Sequence, residues 1–129
     1  MKKIVWVDER DAVVLHDRLL ALEGGAAGLR DSGLLSSALA RPRQFLAYSK
    51  NPDIIALAAA YTAGIVLDHP LIDGNKRTGF VVGVLFLELN GHRFTASEEA
   101  AAQAVLSLAA RSLDEPAFAA WLRANSRRQ

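Results

Sequence analysis

The sequence predicts a compact all-α domain of about six helices, and three observations carry that prediction. Two long stretches, "IIALAAAYTAGIVL" (residues 54–67) and "TGFVVGVLFLELNG" (78–91), have almost no polar face. A helix apolar all round sits buried at the centre of a bundle. Helix-start signals recur along the chain: Asp8, Ser97 and Asp114 each stand just before acidic residues or a proline. The chain has 129 residues, 51% of them hydrophobic, so one core forms without disulfides or metal staples. There is no repeat and no long linker, so residues 1–129 read as a single domain.

Taken in order, "IVWV" (4–7) reads as a short N-terminal strand. Asp8 caps a helix from about Glu9 to Glu23, with Glu9 and Asp11 in its first turn and Gly24-Gly25 to stop it. "GGAAGLRDSG" is a loop by its glycines. Asp31 or Ser32 caps a short helix through "LLSSALA", which ends at Arg41-Pro42. Asn51 followed by Pro52 is a capping residue with proline at the first helical position. It opens the first apolar helix. The second starts near Gly74 or Asn75 and ends at Asn90-Gly91. Gly79 and Gly83 lie four apart on one face, where they let another helix approach closely. "HRFTA" is a short extended piece. Ser97 opens an alanine-rich helix to about Ala110, and Asp114 with Pro116 opens the last, carrying Phe118, Trp121 and Leu122 on one side. The basic tail "RANSRRQ" reads as frayed.

Composition narrows the function classes. A formal charge of +1 gives no global case for binding nucleic acid or membrane. The apolar run before Asp8 is too short for a signal peptide, and no apolar run reaches the roughly 18 residues of a membrane span. The absence of cysteine excludes a disulfide framework and a cysteine-ligated zinc site. The expectation is a soluble cytoplasmic protein.

The two apolar helices are joined by "HPLIDGNKR" (69–77). A turn needs Asp and Gly, and exposed bases are ordinarily just solvated. Here Lys76 and Arg77 fall in the first turn of a helix, where the macrodipole disfavours bases by about 0.3–1 kcal/mol each. A bound phosphate reverses that sign. Gly74 lets an anion approach the backbone, Asn75 offers an amide, Arg77 a bidentate grip and Lys76 a point charge. Asp73 is an oxygen donor beside that anion site, suited to Mg²⁺ held jointly with substrate phosphates. His69 stands on the other lip, and an imidazole, which can take and release a proton, suits a general base. Together they point to phosphoryl or nucleotidyl transfer to a hydroxyl. No P-loop or Rossmann fingerprint offers another explanation.

These residues resemble the signature of the Fic/Doc superfamily, HxFx(D/E)GN(G/K)R. The form with Lys76, followed by "TGF", looks like the Doc branch, the death-on-curing toxins of toxin–antitoxin modules. "LHDRLLALEGGAAGLRDSGLLSSALARP", "AAAYTAGIVLDHP" and "LFLELNGHRF" are also Doc-like, so the resemblance spans roughly Val13 to Phe94. It implies a helical fold with the motif loop as active site between the two central helices. It also implies a protein kinase using ATP and Mg²⁺, with a threonine of elongation factor Tu as target and a Phd-like antitoxin as partner. By position His69 is the general base, Asp73 the metal ligand, and Gly74, Asn75, Lys76 and Arg77 the phosphate site. Leu71 replaces the family's phenylalanine. Lys76 and Phe80 stand where the AMP-transferring relatives have glycine and a second arginine. Both changes argue for γ-phosphate transfer over AMP transfer; AMP transfer and a nonenzymatic binding module are the alternatives.

Outside the loop, His16 and His92 read as structural or exposed. Arg30 and Asp31 read first as a solvated base and a capping acid; a second reading lays their loop over the site. Trp6 and Trp121 read as packing residues. The stretch 100–110 suits tight helix packing, or a groove for an amphipathic partner helix.

Overall fold

A computed structural model describes residues 3–48 and 53–129. In order, the described residues form α1 (Glu9–Glu23), α2 (Ser32–Tyr48), α3 (Ile54–Asp68), α4 (Asn75–Leu89), β1 (His92–Phe94), α5 (Glu98–Ala109), α6 (Glu115–Ala124) and β2 (Ser126–Arg128). The all-α class holds, with one two-stranded ribbon added.

α3 is the axis of the core. Residues 55 and 57–66 are all buried, because small alanines let α2, α4 and α6 approach from different sides. The glycines of α4 set the closest approach. A Cβ at Gly79 would lie 2.9 Å from the Val66 side chain, and one at Gly83 would overlap the Thr62 hydroxyl. That hydroxyl donates across the interface to the Gly79 carbonyl at 2.8 Å. The α3–α4 hairpin is therefore held at fixed separation, and with it the loop that joins the two helices. Tyr61 and Phe86 pack with ring centroids 5.0 Å apart, and Phe118 and Leu122 of α6 close the other side.

Three expectations need correction and one falls outside the described residues. α2 does not end at Pro42 but runs through it to Tyr48. A proline inside a helix removes one hydrogen bond and costs about 3 kcal/mol. Here Pro42 is buried, Arg41 pairs with Glu115, and Arg43 lies 4.6 Å over the Trp6 ring, so tertiary contacts carry the helix past it. Burial raises the Glu115 carboxyl above its usual range, against the opposing pull of Arg41.

"IVWV" forms no strand. Its polar backbone groups find side chains instead. Asn90 bonds both the N–H and the carbonyl of Val5 at 2.8 Å. The Tyr61 hydroxyl bonds the N–H and the carbonyl of Val7, at 3.0 and 3.1 Å. Burial raises the Tyr61 pKa and the Val7 bond opposes it.

The tail is not frayed. β2 pairs antiparallel with β1, Arg93 opposite Arg127, and Gln129 N–H donates to the Gly91 carbonyl at 2.8 Å. Phe94 packs against Trp121 beneath the ribbon. Finally, Asn51 and Pro52 lie outside the described residues. α3 begins at Ile54, capped by Asp53, whose side chain accepts from Ile55 N–H at 3.0 Å.

Candidate active site

α3 stops at His69 for a local reason. Pro70 disfavours a helical conformation in the residue before it. His69 instead takes φ 54° and ψ 54°, in the left-handed region that L-residues other than glycine rarely enter. The loop then returns to α4 through Gly74, also left-handed at φ 78°, where glycine carries no steric cost.

Asn75 closes this loop on itself. It is 4% exposed, and its amide pairs with both backbone groups of Leu71: Oδ1 accepts from Leu71 N–H and Nδ2 donates to the Leu71 carbonyl, each at 2.9 Å. Those partners fix which end of the amide is which. Nδ2 then faces His69 Nδ1 at 3.1 Å, so Nδ1 accepts and the neutral ring carries its proton on Nε2. Leu71 is 2% exposed and anchors the loop in the core in place of a bulkier aromatic.

Asp73 is exposed. One carboxylate oxygen accepts from Gly74 N–H at 2.8 Å and the other from Ala26 N–H at 3.3 Å. His16, buried on α1, donates from Nε2 to the Asp73 carbonyl at 2.8 Å. The structural reading of His16 holds, and its place is under the motif loop.

The start of α4 has no side-chain cap, and its first turn carries Lys76 and Arg77, both exposed. Arg77 pairs with Glu23 in the last turn of α1. Sequence reading passed over Glu23, although it left a signal: an acid at a helix C-terminus opposes the macrodipole as a base at an N-terminus does. The Gly24–Asp31 loop lies along the motif. Gly28 accepts from Ile72 N–H at 3.1 Å, Pro70 accepts from the N–H groups of Arg30 and Asp31, and Leu29 bridges to Leu71. Asp31 also caps α2 by accepting from Leu34 N–H at 3.1 Å. So Asp31 is the expected cap, while Arg30 is not simply solvated: its side chain donates to backbone carbonyls at the end of α3, and its loop lies against the motif loop.

His69, Asp73, Gly74, Asn75, Lys76 and Arg77 line one open cavity of about 600 Å³. Its far wall is apolar, from Phe80 and Val81 on α4 and Ala101, Ala102 and Val105 on α5, with Glu98 at the rim. Phe80 stacks edge-on against Phe94 at 5.3 Å, so that position supplies packing where a clamp would need charge. His92 is elsewhere, its Nδ1 3.2 Å from the Asn90 carbonyl. Among the described residues no group of three or more acidic, histidine or cysteine side chains forms a self-sufficient metal site. A Mg²⁺ held by one carboxylate and substrate phosphates needs no such group, and Asp73 with its remaining lone pairs fits that arrangement.

Comparison with known proteins gives a family match and two named relatives. Residues 6–87 match the profile described as "Fic/DOC family". The chain is 30% identical over 95 residues to the "Protein kinase doc" of Escherichia phage P1, covering 74% of this chain and 75% of that one. It is 40% identical over 75 residues to the "Toxin Doc" of Mycolicibacterium smegmatis, covering 57% of each. No helix among the described residues is long and apolar enough to cross a membrane.

Proposed function

The chain belongs to the Fic/DOC family, and on that premise we propose that it is a Doc-type toxin and an ATP-dependent protein kinase. The observation that carries this reading is the start of α4: a left-handed glycine, no side-chain cap, and two bases where a helix disfavours them. Uncapped N–H groups, the positive helix end, Lys76 and Arg77 together make a cradle for a polyphosphate. Asp73 would hold Mg²⁺ against those phosphates, and the ion would supply charge neutralisation on the leaving group.

The target hydroxyl attacks the γ-phosphorus, the new O–P bond forms, the bond to the β-bridging oxygen breaks, and ADP leaves. His69 takes the hydroxyl proton. In the free protein Nδ1 faces Asn75, so the ring must give up that contact to turn a lone pair toward the hydroxyl. Phe80 favours γ-phosphate over AMP transfer, because an apolar residue packed on Phe94 leaves no second arginine to grip the nucleotide. The phage relative, named a protein kinase, points the same way. The reading extends to a threonine of elongation factor Tu as target, arrest of translation in the cytoplasm, and a Phd-like antitoxin. The apolar wall of α5 suits an amphipathic segment of that antitoxin.

The test uses ATP labelled at the α- or the γ-phosphate, with the purified protein and bacterial lysate. The expected result is γ-label on a protein of the size of elongation factor Tu, lost in His69→Ala. Transfer of α-label would establish AMP transfer instead. Growth arrest undiminished in His69→Ala would point to a binding module without catalysis.

A further inference from the structure

Arg30 is solvent-exposed and lies outside the cavity wall, yet its side chain is committed. Nε donates to the His69 carbonyl at 2.6 Å and Nη2 to the Asp68 carbonyl at 2.9 Å. Both carbonyls belong to the end of α3, where the helix leaves its last acceptors unpaired. One residue further on, Pro70 receives the N–H groups of Arg30 and Asp31, at 2.8 and 3.1 Å. Three consecutive carbonyls, 68 to 70, are therefore held from the same loop. The residue at their centre is His69, one of two non-glycine residues with positive φ among the described residues. Such a conformation persists only where its surroundings over-determine it. The side chain of His69 is fixed on its other side by Asn75.

We propose that Arg30 is a positioning residue. It holds the His69 backbone in the left-handed conformation that presents the imidazole to the cavity, and it does not touch nucleotide. The planar guanidinium suits this, since its fork spans two carbonyls where a lysine ammonium has no such rigid geometry. The catalytic part of the proposal rests on the reading of His69 as the base; the conformational part does not.

The test compares wild type, Arg30→Ala and Arg30→Lys, each with ¹³C,¹⁵N-labelled histidine, the His69 signals being assigned by a His69→Asn variant. In Arg30→Ala the His69 Cα and carbonyl shifts should move while those of His16 and His92 stay in place, and Arg30→Lys should lie between. In the same proteins kcat for γ-phosphate transfer should fall about 10- to 100-fold in Arg30→Ala, the scale of a small misplacement of a reacting group. The Kd for MgATP should stay within about twofold of wild type, since the cavity wall is untouched. His69 shifts unchanged in Arg30→Ala would overturn the proposal, as would a loss confined to ATP affinity. A wild type that transfers no γ-label would fail the proposed reaction while leaving the spectra to decide on Arg30. Should Arg30→Ala not fold, Arg30→Lys decides: unmoved shifts and unchanged kcat there count against it.

Discussion

The helices of this protein begin in two different ways. α1, α5 and α6 start on Asp8, Ser97 and Asp114, whose side chains each accept from a backbone N–H of the first turn, where the helix dipole favours negative charge. Acids follow in each first turn: Glu9 and Asp11, Glu98 and Glu99, Glu115. α4 inverts every feature, with glycine for a cap, no side-chain acceptor, and Lys76 and Arg77 for acids. The first kind is arranged for the stability of the free chain. The second forgoes that stabilisation and leaves N–H groups and charge facing the cavity. Among the described residues five helix starts carry a side-chain cap and α4 alone does not, and that exception beside a histidine in a strained conformation is the reason for proposing that the chemistry lies there.

The largest effect expected from perturbing this contrast comes from the clasp behind the α4 start. Asn75→Ala leaves both backbone groups of Leu71 without partners in a buried site. The expected loss is about 2–4 kcal/mol in denaturant unfolding, with transfer activity abolished. A loss no greater than that of an exposed alanine substitution would mean that the clasp does not hold the loop. Next is an ordinary start. Asp114→Ala removes the cap of α6 and should cost about 1 kcal/mol without changing MgATP affinity. A change in affinity there would erase the distinction between the two kinds of start.

Much of this was legible in the sequence because it is local. The ends of α1 and the starts of α4, α5 and α6 follow from residues within one turn of each boundary. So do the six residues of the motif loop that meet at the cavity. What escaped depends on partners far along the chain. Pro42 ends a helix by local rules, and only its burial and the contacts of Arg41 and Arg43 keep α2 intact. The tail becomes a strand because β1 lies beside it. The segment at Val5 and Val7 is satisfied by Asn90 and Tyr61, 85 and 54 residues away. His16 reaches Asp73 across 57 residues and Arg30 reaches His69 across 39. Spacing gives no sign of such pairings. Glu23 is different, since its place at a helix C-terminus was itself an anomaly of the same kind as Lys76.

If the start of α4 is built for phosphate, reversing the charge at Lys76 should separate stability from binding. Lys76→Glu gives the helix dipole the acid it prefers, which should stabilise the ligand-free protein by about 0.3–1 kcal/mol. The same substitution places a carboxylate against the phosphates and should weaken MgATP binding at least about tenfold, on the scale of a lost charge-assisted hydrogen bond. Thermal unfolding and calorimetric titration on one preparation of each protein read both quantities. The expected result is a higher melting temperature with weaker binding. Unchanged affinity for MgATP in Lys76→Glu would contradict the phosphate cradle.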